Sequence, residues 1–260
     1  MSILTEKKLF VMDMDGTIYL GDNVIKGARE FVERARKAGA RVVFFTNNAS
    51  KNPELYVEKL TRLGFQAKRE DIITSGDVTI DFLKKKRAGK KVYIVGTPAL
   101  HESFENAGIV PVEIGEDADI VVSSFDTTLT YQKLEHACNL IRGGAEFLST
   151  HEDINCPTAD GFIPDSGAIC ALITLSTGKN PRYFGKPHLE TVEYIESYTG
   201  ISRKDAAIVG DRLYTDIATG KNHGMTAIFV LSGEGTMEDV EKLADTQKPD
   251  LIFNSVDDIR

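Results

Sequence analysis

The chain lacks long apolar runs, an even set of cysteines and an excess of basic charge. No apolar stretch in its 260 residues approaches the roughly 20 residues of a membrane helix, so no membrane association is expected. The apolar pair Ile3-Leu4 is too short for a secretion signal. Cys138, Cys156 and Cys170 lack metal-ligand spacing, which favours reduced, structural thiols in a cytoplasmic protein. The net charge of −8 gives no affinity for a nucleic-acid backbone.

Short apolar strands instead alternate with amphipathic helices along the whole chain. Leu9–Met12 and Val42–Phe45 are continuous apolar runs, as expected for strands buried on both faces. A helix is predicted from Pro53 to Gly64, and a looser stretch from Thr150 to Ser166. This alternation predicts a parallel sheet covered by helices. The other predicted strands are Val92–Val95, Ile120–Val122, Glu146–Ser149, Ala206–Val209, Ala227–Val230 and Leu251–Phe253.

Polar side chains follow several of these predicted strands. Asp13 and Asp15 come directly after the first strand, and Thr46 follows the second. Lys186 follows the short segment 183–185, and Asp211 follows the apolar run that precedes it. The carboxyl ends of parallel strands share one edge of a sheet, and ligands bind there. The sequence therefore predicts that these distant segments deliver their side chains to one place.

The types of these side chains indicate a metal ion and a phosphate. If the extended chain continues to Asp15, Asp13 and Asp15 point the same way, and two close carboxylates repel unless a cation sits with them or one of them holds a proton. Mg²⁺ prefers such oxygen ligands, and Asp211 would supply another. A magnesium ion held by few carboxylates usually also meets phosphate. Lys186 would then neutralise a phosphoryl oxygen, and Thr46 would donate a hydrogen bond to another.

Each segment also has a simpler interpretation when it is taken alone. The first two aspartates could serve a turn, because Asp bonds its own backbone. Thr46-Asn47-Asn48 could be a helix cap, and Lys186 an ordinary surface lysine. Asp211 and Asp216 could be capping residues. The order and the strand-end placement of all four segments together favour a functional site.

With these residues assembled, the chain resembles the haloacid-dehalogenase-like hydrolase superfamily, and most of all the subfamily IIA phosphatases, the NagD-like and 4-nitrophenylphosphatase-like group. The resemblance covers nearly the whole chain. It implies a Rossmann-like parallel-sheet core of residues 1–76 and 182–260, with an inserted α/β cap domain of residues 77–181. The four matching motifs are Asp13-Met14-Asp15-Gly16-Thr17, Phe45-Thr46-Asn47-Asn48, Gly185-Lys186-Pro187 and Gly210-Asp211-Arg212-Leu213-Tyr214-Thr215-Asp216.

The resemblance implies a Mg²⁺-dependent phosphatase that forms an aspartyl-phosphate intermediate. Asp13 would be the nucleophile, and Asp15 would protonate the leaving group and then activate water. The metal would be held by the carboxylates of Asp13 and Asp211 and by the backbone carbonyl of Asp15. Asp216 would orient Lys186 or metal-bound water from behind. The substrate would be a small phosphorylated metabolite, of sugar phosphate or nucleotide type.

Substrate-binding residues are expected on both domains of such a protein. Thr46, Asn47, Asn48 and Lys186 would bind the phosphoryl group. In the cap, the stretch 150–157 is the candidate specificity loop, and its His151 is either a substrate contact or an ordinary loop histidine. The residue before Ser166, Asp165, is expected to cap a helix. Caps of this subfamily can pair, so a homodimer through the cap is the expected form of self-association.

Two other protein classes use similar residues. A receiver-like signalling protein also combines an acidic metal cluster, a phosphoacceptor aspartate, a hydroxyl and a lysine on a parallel sheet, but it is typically about half as long. The 140 residues between Thr46 and Lys186, and the presence of Asp15, argue against it. A catalytically silent phosphate-binding regulator is the other alternative, and the complete motif set argues against that class.

Overall fold

The structure is a computed structural model that describes residues 3–158 and 161–260, and the chain divides into two compact units. The first unit consists of residues 3–46, Pro53–Ile73 and Lys186–Arg260. The second consists of the described residues of Asn47–Asn52 and Thr74–Gly185. The cap range predicted from the sequence, 77–181, is a few residues shorter at each end and does not include the loop after Thr46.

A six-stranded sheet in the order β14-β13-β12-β1-β4-β5 forms the centre of the first unit. From β14 to β4 each strand pairs in parallel with the next. The central strand β1 is entirely buried, since both its faces are covered. This sheet confirms the predicted α/β fold class. The six strands are β1 (Leu9–Met12), β4 (Arg41–Thr46), β5 (Ile72–Thr74), β12 (Ala206–Gly210), β13 (Thr226–Val230) and β14 (Leu251–Phe253).

Helices with one apolar face cover this sheet. The helix from Ala28 to Lys37 buries Ala28, Phe31, Val32 and Ala35, which lie one above another at helical spacing. A short hairpin, β2 (Tyr19–Leu20) with β3 (Asn23–Val24), follows β1. The helices of the first unit are α1 (Ile3–Glu6), α2 (Ala28–Lys37), α3 (Pro53–Arg62), α8 (Leu189–Thr199), α9 (Ala218–His223) and α10 (Met237–Glu241).

The second unit contains its own parallel sheet in the order β11-β8-β7-β6. An antiparallel hairpin, β9 (Asn155–Thr158) with β10 (Gly161–Pro164), lies in the stretch where the sequence predicted only a looser segment. The other strands are β6 (Val92–Val95), β7 (Ile120–Ser123), β8 (Glu146–Ser149) and β11 (Arg182–Tyr183). The helices are α4 (Ser75–Lys86), α5 (Pro98–Asn106), α6 (Tyr131–Arg142) and α7 (Ser166–Thr177).

The strand that precedes Lys186 belongs to this second sheet. The prediction that segment 183–185 belongs with the strands of the first sheet is wrong. Arg182 and Tyr183 pair in parallel with Leu148 and Ser149 of β8. The chain therefore enters the first unit only at Lys186, which belongs to a connecting segment and does not follow a strand of the first sheet.

Within residues 3–158 and 161–260, no helix combines the length and the apolar character needed to cross a membrane. All three cysteines are free thiols. Cys138 and Cys170 lie in the apolar core of the second unit, where they pack among aliphatic and aromatic side chains.

Candidate active site

Three neighbouring strands of the first sheet end within two residues of one another, and a polar residue closes or follows each of them. Met12 of β1 lies level with Phe44 of β4 and with Val209 of β12. The residues that follow them reach the carboxyl edge of the sheet within one or two positions. Asp13 follows β1 and anchors its amide to the Val209 carbonyl at 2.8 Å, Thr46 closes β4, and Asp211 follows β12. The structure thus brings together the residues that the sequence placed at this edge.

Lys186 is buried between two carboxylates. Its Nζ lies 2.5 Å from Oδ1 of Asp13 and 2.6 Å from Oδ1 of Asp216, and the residue is only 2% exposed. Burial by itself lowers the pKa of the ammonium, but the charges of Asp13 and Asp216 outweigh burial and raise that pKa. The lysine therefore stays protonated, and it presents a fixed positive charge beside the carboxylate of Asp13.

Asp216 supports this lysine from the interior. It is fully buried, and its second oxygen accepts a hydrogen bond from the backbone N–H of Arg212 at 3.2 Å. Burial raises the pKa of Asp216 to about 6, although the Lys186 ammonium opposes the shift. A Cβ on Gly210 would lie 2.2 Å from the Asp216 carboxyl carbon, so only glycine leaves room for this side chain. The geometry matches the predicted supporting position of Asp216.

Asp211 sits in a tight cradle of backbone. Its oxygens accept hydrogen bonds from the Thr17 hydroxyl at 3.2 Å and from the Glu234 backbone N–H at 2.7 Å. A Cβ on Gly16 or on Gly233 would fall 2.3 Å or 2.0 Å from its Oδ2. Burial, reinforced by the negative charges of Asp13 and Asp216, raises the pKa of Asp211 to about 7. A cation beside this carboxylate would relieve that penalty.

The carboxylates form one acidic cluster that suits a hard divalent ion. Oxygens of Asp13, Asp211 and Asp216 all lie within 4.8 Å of one another. Oxygen donors at such separation match the preference of Mg²⁺. The side chain of Asp15 lies outside this cluster and is exposed. The site therefore fits a magnesium ion.

Several residues of this site were not anticipated from the sequence. The loop after β13 supplies the Glu234 N–H and the close approach of Gly233 to Asp211, and its Ser232 hydroxyl donates to the Gly16 carbonyl at 2.8 Å. Thr17 is buried and donates to Asp211. Only the adjacency of β12 and β13 in the sheet would have pointed to this loop, and one sequence does not reveal strand order.

Three of the predicted substrate-binding residues lie in the second unit, where Asn47 and His151 are buried and Asn48 is half-buried. Asn47 donates from Nδ2 to Asp153 at 3.3 Å, and Asn48 accepts from the Ser50 hydroxyl at 2.7 Å. His151 is 0% exposed, with Nε2 2.8 Å from Asp165. In this arrangement His151 offers no surface to a substrate, because both ring nitrogens face protein groups. The expected role of Asp165 is confirmed, since it caps α7 through the Ser166 N–H.

Comparison with known protein families agrees with this geometry. A family model described as haloacid dehalogenase-like hydrolase matches residues 10–110, and a second, HAD-hydrolase-like, matches residues 183–259. A curated relative, the acid sugar phosphatase of Staphylococcus aureus, is 36% identical over 238 residues, which are 92% of each chain. The chain belongs to the haloacid dehalogenase-like hydrolase family.

Solved members of the family have the same fold over nearly all of the chain. A 4-nitrophenylphosphatase from Thermotoga maritima is 41% identical with a TM-score of 0.93, over 99% of this chain and 97% of its own. A glycerol phosphate phosphatase from Mycobacterium tuberculosis, solved in complex with magnesium, is 31% identical with a TM-score of 0.92. That alignment covers 98% of this chain and 77% of the mycobacterial one.

These findings confirm the resemblance inferred from the motifs, including the 4-nitrophenylphosphatase-like group. They also confirm the expected enzyme class, because the related haloacid dehalogenase-like proteins are phosphatases. The chain is a hydrolase that acts on phosphomonoesters. Its four motifs, read in order along the sequence, converge on the acidic cluster and on Lys186.

Proposed function

We propose that this hydrolase is a Mg²⁺-dependent phosphatase of small-molecule phosphomonoesters that works through an aspartyl-phosphate on Asp13. The observation that carries the proposal is the placement of Asp13. One of its oxygens is held 2.5 Å from the Lys186 ammonium, and its carboxylate lies in the acidic cluster with Asp211. A carboxylate is a weak nucleophile toward an anion unless positive charge surrounds the reacting group.

Mg²⁺ is the cofactor that fits this site. The carboxylates of Asp13 and Asp211 and the backbone carbonyl of Asp15 would hold it. When bound, it supplies positive charge that lowers the repulsion between Asp13 and a phosphate dianion. The buried cradle around Asp211 keeps one ligand oxygen in a fixed place, as a metal ligand requires.

The first half-reaction transfers the phosphoryl group to Asp13. An oxygen of Asp13 attacks phosphorus in line with the leaving oxygen, so one P–O bond forms as the bond to the leaving group breaks. Lys186 and Thr46 hold the phosphoryl oxygens during transfer. Asp15, whose residue is exposed, gives its proton to the leaving alkoxide.

The second half-reaction frees the enzyme. Asp15, now ionised, takes a proton from a water molecule as that water attacks phosphorus. The bond between Asp13 and phosphorus breaks, inorganic phosphate forms, and the Asp13 carboxylate and the protonated Asp15 are restored. Asp216 holds Lys186 in place through both steps, because its carboxylate pairs with the same ammonium from the interior.

The substrate is proposed to be a phosphorylated small metabolite of sugar phosphate or nucleotide type. The name of the staphylococcal relative supports the sugar phosphate class, and that of the mycobacterial structure supports a polyol phosphate close to it. The second unit would act as the cap that selects the leaving group. A cytoplasmic setting and a homodimer through this cap stay predictions.

Hydrolysis of 4-nitrophenyl phosphate tests the proposal directly. We expect turnover with Mg²⁺ and its loss in excess chelator, and we expect Asp13→Asn to abolish turnover while the protein remains folded. The exposed change Asp117→Asn is the matched control and should retain full activity. An active Asp13→Asn variant would refute the nucleophile assignment. A panel of sugar phosphates, glycerol phosphates and nucleoside monophosphates then ranks the substrate classes.

The receiver-like alternative makes a different prediction in the same experiment. A receiver would form a phosphoprotein that persists for minutes, with no turnover. Family membership and the enzyme class argue against it. A silent phosphate-binding regulator would bind inorganic phosphate and would hydrolyse no member of the panel.

A further inference from the structure

The chain passes between its two units four times, and polar contacts gather at these crossings. The crossings lie at Thr46–Asn47, Asn52–Pro53, Ile73–Thr74 and Gly185–Lys186. The first and the last carry residues that the proposed function assigns to phosphate binding. Thr46 immediately precedes one crossing, and Lys186 immediately follows another. Whatever fixes the backbone at these two crossings also affects where the two phosphate-binding residues lie.

Five residues of the second unit connect three of these crossings, and we name them the crossing cluster: Asn47, Ser75, His151, Asp153 and Gly185. The Ser75 hydroxyl donates to the Asn47 carbonyl at 2.5 Å and lies 3.5 Å from Nδ1 of His151. Asn47 donates from Nδ2 to Oδ2 of Asp153 at 3.3 Å. The four polar members of this cluster are all at least nine-tenths buried.

Gly185 belongs to the cluster because its lack of a side chain lets its backbone lie close to Asn47. A Cβ at this position would lie 2.7 Å from Oδ1 of Asn47, 2.9 Å from the Thr150 carbonyl and 3.2 Å from the His151 Cβ. Its φ of +71° is also a conformation that favours glycine. The Asn47 carboxamide is thus held between Asp153 on one side and the Gly185 backbone on the other. The residue after Gly185 is Lys186.

The cluster is anchored to regular structure and not to loops alone. Ser75 is the first residue of α4, and His151 is bound through Nε2 to Asp165, the N-cap of α7. Buried polar groups in such a network make stronger hydrogen bonds than exposed ones, and a missing partner leaves an unsatisfied group inside the protein. The network therefore has one well-defined arrangement.

We propose that Asp153 is a positioning residue for the phosphate site. By holding the Asn47 carboxamide against Gly185, it fixes the distance between two backbone positions. One is Asn47, which follows Thr46, and the other is Gly185, which precedes Lys186. Phosphoryl transfer depends on placement to within a fraction of an ångström, so a small shift of either group weakens phosphate binding. Asn47 then acts as a structural link between the crossings and not as a direct ligand of the substrate.

This inference rests on the proposed function, and it is tested by phosphate binding as well as by turnover. We expect Asp153→Ala to raise the dissociation constant of inorganic phosphate, measured by calorimetry with Mg²⁺ present, by about 10-fold, equivalent to ~1.4 kcal/mol or one hydrogen bond. KM for 4-nitrophenyl phosphate should rise in parallel. Asp153→Asn retains an oxygen that accepts from Asn47, so it should recover most of the affinity.

A double-mutant cycle separates positioning from direct contact. If Asn47 works through Asp153, then Asn47→Ala, Asp153→Ala and the double variant should all weaken phosphate binding to the same extent. Effects that multiply to about 100-fold in the double variant would mean that the two residues act independently, and would overturn the proposal. Should Asp153→Ala fail to fold, Ser75→Ala removes only the hydroxyl bound to the Asn47 carbonyl and is expected to weaken binding likewise.

Glu146→Gln is the matched control for loss of stability. Glu146 pairs with Arg87 at 2.6 Å at the start of β8, whereas the crossing cluster follows the end of that strand. The control should leave phosphate affinity unchanged. A wild-type enzyme that neither binds phosphate nor turns over refutes the proposed function. An active wild type whose Asp153→Ala variant binds phosphate normally, even with a lowered melting temperature, refutes only the positioning role.

Discussion

Replacing Asp211 by asparagine should stabilise the metal-free protein while it removes activity. Asp211 is 2% exposed and lies in the acidic cluster with Asp13 and Asp216. Asparagine has the same shape and keeps an oxygen to accept from the Glu234 N–H, while its amide can face the Thr17 hydroxyl. The substitution therefore removes a buried charge without removing a hydrogen-bond partner.

The magnitude follows from the raised pKa of Asp211. Burial and the neighbouring negative charges move this pKa from 3.8 to about 7. Because one pKa unit corresponds to about 1.4 kcal/mol, the folded metal-free state is penalised by up to about 4 kcal/mol at pH 7. Asp13 and Asp216 share this repulsion. We therefore expect the Asp211→Asn substitution to recover about half of the penalty, near 2 kcal/mol, as free energy of unfolding. In a protein of this size that raises the melting temperature by roughly 4–8 °C.

The sign of the pH dependence is fixed by the direction of the shift. Below pH 3.8 the carboxyl is protonated in both the folded and the unfolded state, so the variant and the wild type should differ little. Between pH 3.8 and about 7 the unfolded state loses its proton first, and the wild type loses stability relative to the variant. Above about pH 7 the difference should be constant.

Thermal unfolding in chelator, from pH 4 to pH 8, measures this difference. In saturating Mg²⁺ the wild type should melt at a higher temperature than the variant, because the wild type gains metal-binding energy that the variant has largely lost. The exposed change Asp117→Asn should shift the melting temperature by little at any pH. If Asp211→Asn melts at or below the wild-type temperature in chelator at pH 7, then the buried charge is not a net cost and the reasoning fails.

Two further variants examine the acid–base residue and the metal cradle. Asp15→Asn should still form phosphoenzyme from 4-nitrophenyl phosphate, a good leaving group, but should slow its hydrolysis, as rapid quenching would detect. Equal slowing of both steps would contradict the proposed role. Gly233→Ala places a methyl group 2.0 Å from Asp211 Oδ2, so the Mg²⁺ concentration for half-maximal activity should rise about 10-fold. An unchanged Mg²⁺ concentration for half-maximal activity would show that the close approach of Gly233 does not constrain the Asp211 carboxylate.

Much of the catalytic sheet was predictable because its strands are buried on both faces. Leu9–Met12 was predicted with its observed bounds, and Val42–Phe45 falls within the observed β4. Continuous apolar runs leave little ambiguity in such a sheet. The hairpin β9–β10 was missed for the opposite reason. Nearly all of its residues are exposed, and it contains two prolines, so it has neither an apolar run nor a clear alternation.

The site was predictable as a set of residues but not as a set of contacts. Asp13 and Asp211 lie together because β1 and β12 end at one edge of the sheet, and Lys186 reaches Asp13 from a connecting segment. That His151 would be fully buried was not visible in a polar loop sequence. The closing of Gly233 on Asp211 was also hidden, because it depends on β13 lying beside β12. Pairing between distant strands is tertiary information that local patterns do not carry.

The charges at the centre of the site explain why metal and phosphate chemistry go together here. Lys186 pairs with Asp13 and Asp216, and Asp211 lies within 4.8 Å of both carboxylates, so these four groups carry a net charge of −2 when all are ionised. A phosphate dianion approaching Asp13 would meet this excess at short range. One bound divalent cation would cancel this excess, and in the proposed mechanism Lys186 would then face the incoming phosphoryl oxygens. The stability lost by burying Asp211 without a metal is thus the same free energy that favours binding of a divalent ion.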